Sequence, residues 1–189
     1  MGIVFNTLEL DNISEINMKL KLSTIQNVLT SYGKRNLTTI GKITVVKTLA
    51  MPKLIHIFSS LPIPPSKMLN ELRRLFENFI WHGKTPKVNR DLLTQDIAEG
   101  DLKMPNIKVQ IQSLKIAWIK RLINTTGDWQ SLFNLEHDNV PNNCIWELDK
   151  KSLSAYSKLI FNPFWREVCR DWADCIDSLS DISDNFSYT

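Results

Sequence analysis

The stretch RNLTTIGKITVVKTLAMPKLIHIF, residues 35–58, limits the possible folds more than any other. Valine, isoleucine, leucine and phenylalanine fill most of it, while Arg35, Lys42, Lys47 and Lys53 have no acid to answer them. A solvated helix balances each lysine with a glutamate three or four residues away. On a wheel of ~100° per residue, Ile40, Ile43, Ala50, Leu54, Ile57 and Phe58 form one broad apolar face. Val45, Val46 and Leu49 carry apolar surface around much of the remainder. Such a helix, starting near Thr38, must be packed on more than one side. Pro52 lacks a backbone donor and clashes with the carbonyl four residues earlier, which predicts a kink or break near Met51. Lys42 and Lys53 fall together on one edge of the wheel, and Lys47 falls inside the apolar arc. Either a snorkelling stem or a directed phosphate contact would account for Lys47.

The flanking segments also read as helices. From Ser14, Met18, Leu22, Ile25, Leu29 and Tyr32 repeat at steps of four and three up to Gly33. After the proline-rich stop LPIPPS, Leu69, Leu72, Phe76, Phe79 and Ile80 define an amphipathic helix, with Gly83 suited to a left-handed cap. Asn106 caps a further helix with the stripe Ile107, Ile111, Leu114, Trp118 and Leu122, and with Lys108, Lys115, Lys120 and Arg121 on or beside its polar flank. A short helix is expected over 127–133 and a loop over 138–143. Asn162 and Pro163 open the last helix, which puts Trp165, Val168, Trp172, Ile176 and Leu179 on one face. Asp171, Asp174, Asp177, Asp181 and Asp184 follow on another side. The fold class is mainly α: a helical bundle with a short N-terminal strand in MGIVF, a small hairpin within 84–105, and a C-terminal helical appendage.

Charge is distributed unevenly. The net +3 of 189 residues separates into +9 over 1–121 and −6 over 122–189. Between Glu15 and Glu71 there is no acid, against Lys19, Lys21, Lys34, Arg35, Lys42, Lys47, Lys53 and Lys67. A polyanion partner, or an acidic neighbour such as the chain's own tail, fits that asymmetry. The three cysteines include no CxxC pair and suit a reducing intracellular setting, in cytoplasm or nucleus, as small buried hydrophobes. Neither they nor His56, His82 and His137 have metal-ligand spacing. Carboxylates strung along one helix face do not converge on paired ions. No glycine-rich phosphate loop or nucleophile signature occurs, so no catalytic residue, cofactor or metal site is expected. No apolar run approaches the ~20 residues that span a bilayer.

MGIVF, NLTTIGKITVVKTLAMPKLIHIFSSLPIP, LFENFIWHGKTPKV, EGDLKMPNIKVQIQSLKIAWIKRLI and NPFWREV occur in an order that resembles LINE-type (non-LTR) retrotransposon reverse transcriptases. The likeness covers about Met1 to Trp172, is weakest over 126–160, and concerns the segment after the catalytic palm. It implies a thumb that grips a template–primer duplex for an RNA-directed DNA polymerase. Gly41, Lys42 and Lys47 would belong to the thumb helix facing nucleic acid, Phe79, Ile80 and Trp81 to a structural helix end, and Trp118 to the following core. Two departures stand out. No DD pair occurs anywhere, whereas the family's palm carries one, and in EGDL Asp101 replaces the second glycine of the usual pair.

The resemblance therefore implies a non-catalytic fragment: residues 1–11 as a remnant of the last palm strand, 12–125 as a thumb-like helical domain, and 126–189 as a helical extension with an acidic tail. Lys34, Arg35, Gly41, Lys42, Lys47 and Lys53 are the candidate nucleic-acid contacts. An RNA/DNA hybrid or duplex is the expected partner, bound with low sequence specificity, and a palm-bearing polymerase chain would be a second one. The competing expectation is a helical protein-interaction or structural remnant without nucleic-acid binding.

Overall fold

The computed structural model describes residues 2–5, 12–84, 104–124 and 148–183. Regular structure among them is helical: α1 (Ile13–Gly33), α2 (Thr39–Val45), a π-helical turn (Val46–Ala50), α3 (Pro52–Ser60), α4 (Ser66–Trp81), α5 (Ile107–Asn124), α6 (Lys150–Ser157) and α7 (Pro163–Ser183). Two compact units divide the chain, Met1–Ile111 and Gln112–Thr189. The boundary expected at 125/126, the helix at 127–133, the loop at 138–143 and most of the hairpin region (85–103) lie outside the described residues. No described helix is long and apolar enough to cross a membrane.

The expected N-terminal strand does not form over residues 2–5. Asn17, buried in the second turn of α1, satisfies Val4 instead. Its Oδ1 accepts from Val4 N at 2.8 Å, and its Nδ2 donates to Val4 O at 2.8 Å and to Ile13 O at 2.9 Å. One amide side chain thus supplies the pair of bonds that an adjacent strand would supply, so Val4's backbone is satisfied while the residue stays exposed. Asn17→Ala should remove about 2 kcal/mol of stability, since a buried amide partner is lost on both sides. Amide exchange checks this: the Val4 N–H should lose its protection while the α4 core amides keep theirs.

In the first unit α1 packs on α3, α4 and the π turn, and α2 packs on α4. The core takes Met18, Leu22, Ile25 and Leu29 from α1, Val46 and Ala50 from the π turn, Leu54, Ile57 and Phe58 from α3, and Leu72, Phe76 and Phe79 from α4. Each large apolar side chain buried this way contributes roughly 1.5–3 kcal/mol. Met68 rather than Leu69 supplies the first anchor of α4. Gly33 sits 4.0 Å, measured from the site of a would-be Cβ, from the Phe79 ring, so the C-terminal ends of α1 and α4 lie together. The start of α2 lies there too, because Lys42 reaches Ile80. The three rods therefore run up, down and up.

The interruption expected near Met51 falls there, between the π turn that ends at Ala50 and α3 that starts at Pro52, although Met51 keeps helical φ and ψ of −59° and −42°. The interruption is a widening of the helix by one residue. Met51 N donates to Val46 O, five residues back, at 2.9 Å, and Pro52 then takes the first position of α3, where no donor is required. An extra residue in a turn offsets everything beyond it by about 100°. Once that offset is included, Lys42, Ile43, Val45 and Val46 before the turn align with Leu54, Ile57 and Phe58 after it. All seven are buried. Ile40, placed on the apolar face by an unbroken wheel, is 66% exposed.

The second unit is centred on Ile119, Leu122, Leu153, Ile160, Val168, Cys169 and Ala173, with Trp118, Tyr156, Phe164, Trp165 and Trp172 packed around them. α6 and α7 are adjacent. Asp149 caps α6 by accepting from Lys151 N at 3.1 Å, and Asn162 caps α7 by accepting from Phe164 N at 3.0 Å. Arg166 ties down the connection between them with two donations to Ile160 O, at 2.8 and 3.1 Å. Burial pushes the Cys169 thiol up to about 12, so it behaves as a small apolar side chain.

Candidate nucleic-acid interface

The six candidate contacts separate once the helices are in place. Lys34 and Arg35 are exposed just beyond α1. Arg35 stacks on the Tyr32 ring with its guanidinium carbon 4.4 Å from the centroid, which holds the plane while leaving N–H edges outward. Gly41 lies in the first turn of α2, and its N–H is already taken by the capping Thr38 Oγ1 at 3.2 Å. Lys47 and Lys53 are half-exposed and make no ion pair among the described residues.

Lys42 is different, and here the expected phosphate contact is corrected. It is 3% exposed, its Nζ donates to Ile80 O at 3.0 Å, and it passes 6.0 Å from the centre of the Phe79 ring. Burial lowers its pKa. The one-residue offset of the π turn carries this side chain from the helix edge to the bundle interior, and the negative C-terminal end of α4 receives the ammonium. A buried lysine anchoring two helices cannot also reach a nucleic-acid strand.

Further cations on the surface of the first unit were not among the candidates. Lys67, Arg73, Arg74 and Lys84 are all exposed, and Arg73 bonds Asn70 Oδ1 at 2.8 Å. Lys19 is neutralised locally by Glu15 at 2.7 Å.

In the second unit the expected polar flank of α5 is broken by Lys115, which is 0% exposed. Its Nζ lies 3.2 Å from Glu167 Oε2 and 3.8 Å from the centre of the Phe164 ring. Burial pulls its pKa down to about 8, against the opposing pull of Glu167 and Asp171. Asp171, expected on a solvated acidic face, is 3% exposed instead, and burial raises its pKa. The wheel did contain this signal, since Lys115 is four residues from both Ile111 and Ile119 and three from Trp118. The charge obscured it.

No protein-family model and no solved structure matches the chain.

Proposed function

We propose that this chain is a non-catalytic module that binds RNA/DNA hybrid or duplex through backbone phosphates, in the manner of the reverse-transcriptase segment it resembles. One observation carries the reading. Residues 16–70 hold eight bases and no acid, and every one except Lys42 is exposed or half-exposed. Lys34, Arg35, Lys47, Lys53 and Lys67 make no ion pair among the described residues, so an external anion is the natural source of compensation. Contact with sugar and phosphate gives affinity without base readout. The free thiols Cys169 and Cys175 agree with a reducing compartment, cytoplasm or nucleus. A palm-bearing polymerase chain would have to supply any catalytic step.

The test is fluorescence anisotropy of a short RNA/DNA hybrid over a range of salt. Each phosphate contact contributes about −0.9 to the slope of log K against log salt. The variant Lys34→Ala/Arg35→Ala/Lys47→Ala/Lys53→Ala should therefore reduce the slope by about 3.6, and primer extension by the chain alone should stay at background. An unchanged slope overturns the reading. A protein-interaction role draws on one other observation, the 81% and 91% exposure of Leu159 and Phe161 in the second unit. It predicts no hybrid binding at any salt concentration.

A further inference from the structure

The C-terminal ends of α1 and α4 meet where Gly33 faces Phe79, which brings together residues about fifty positions apart in the chain. Lys34 and Arg35 continue directly from α1, and His82, Gly83 and Lys84 from α4. All but Gly83 carry a basic side chain, and all are exposed. Phe79 is one helical turn, about 5 Å along the axis, before His82, so the two basic segments share one end of the bundle. No acid occurs in 30–45 or 78–84. Lys34 and Lys84 make no side-chain bond or ion pair among the described residues.

This end is also rigid. His82 and Gly83 both take left-handed backbone conformations, with φ of 54° and 70°, and Gly83 N closes back onto Asn78 O at 3.1 Å. Beneath them the buried Lys42 ammonium holds Ile80 O, locking the end of α4 to α2. Arg35 is fixed on Tyr32. A cationic surface whose supports are already ordered loses little entropy on binding.

Resting on the function proposed above, we infer that this end of the bundle, formed by Lys34, Arg35 and Lys84, is the primary contact for the phosphate backbone of a nucleic-acid duplex, and that Lys47 in the π turn and Lys53 on α3 are secondary. Charge complementarity selects a polyanion. A duplex fits better than a single strand, because among the described residues at this end Arg35 already covers one face of Tyr32 and Trp81 is only half-exposed, which limits the surface for base stacking. A membrane surface fits poorly, because Ile40 is the main exposed apolar side chain near the start of α2 and interfacial binding needs a broad apolar face.

The experiment compares Lys34→Ala/Arg35→Ala/Lys84→Ala with Lys47→Ala/Lys53→Ala in the full chain. Binding is measured on a hybrid duplex, on a single strand of equal length, and on phosphatidylserine vesicles. Circular dichroism of both variants should match the wild type, since every altered side chain is exposed or half-exposed. The triple variant should lose at least about tenfold in duplex affinity and about 3 in salt slope, roughly one per contact removed. The double variant should lose less, and the single strand should bind more weakly than the duplex. If the double variant loses more than the triple, this placement is wrong while the broader nucleic-acid reading stands. If the wild type binds no duplex, that reading fails as well. Vesicle binding without duplex binding assigns the surface to anionic lipid and overturns both.

Discussion

Lys115→Ala should destabilise the second unit by about 2–5 kcal/mol in chemical denaturation, because it removes a fully buried side chain and leaves a void where its stem packed. Lys115 is fully enclosed, its ammonium lies 3.2 Å from Glu167, and the Phe164 ring covers it at 3.8 Å. Without it, Glu167 and the buried Asp171, one turn apart on α7, keep only Arg170 nearby among the described cations, with its Nε 3.9 Å from Asp171 Oδ1. Replacing both partners with apolar residues of similar volume, Lys115→Met/Glu167→Leu, should recover most of the stability, because neither charge then has to be desolvated. If the single alanine variant loses less than about 1 kcal/mol, the ammonium is not buried as described.

The same lysine carries a pH signature. Its pKa is about 8 in the folded chain, against an ordinary 10.5. Below 8 the folded and unfolded states both hold the proton, and the full cost of burying it is present. Between 8 and 10.5 the unfolded chain binds more protons than the folded one, so folding stability rises with pH. At ~1.4 kcal/mol per pH unit the total gain is about 3 kcal/mol, complete near pH 10.5. Cys169 acts in the opposite direction from pH 9 upward, because its raised pKa makes the folded state the stronger proton binder there. Subtracting the stability of Lys115→Met, in which Cys169 is intact, isolates the lysine. A flat difference between pH 8 and 10.5 would exclude a depressed pKa.

The second large effect concerns Lys42. Lys42→Ala should cost the first unit about 3–5 kcal/mol, combining the loss of a charged hydrogen bond to Ile80 O with a cavity between α2 and α4. Lys42→Met should keep the packing and lose only the bond, at about 1.5–3 kcal/mol for a charge-assisted one. Neither variant should change the salt slope of hybrid binding while the chain is folded, whereas substitutions at the exposed Lys34 and Arg35 should. Stability and binding thus report on different lysines of one stretch that looks uniformly basic.

That contrast shows how far local pattern carries. The stripe Met18, Leu22, Ile25 and Leu29 was legible because an unbroken α-helix repeats its faces at 3.6 residues, and all four side chains are buried. The caps Asn106 and Asn162 were legible because capping is local, and each accepts from the backbone of the following turn. α6 went unnoticed. It is short, offers only Leu153 as a fully buried apolar anchor, and owes its start to Asp149. Among the candidate contacts, Lys34 and Arg35 stayed at the surface because they follow a helix end. Lys42 did not, because its orientation depends on a π turn downstream that no fixed-angle wheel contains. Ile40 moved outward for the same reason.

Helical class, most helix starts and the acid-free basic stretch were set by the order of residues alone, since periodicity, capping and charge act within a few positions. Which lysines face water was decided only by the fold. Burying a cation depends on what stands opposite it, and for Lys42 and Lys115 the answer is a carbonyl 38 residues away and a carboxylate 52 residues away. The convergence of Lys34 and Arg35 with Lys84 belongs to the same class, because it exists only where the ends of α1 and α4 pack side by side.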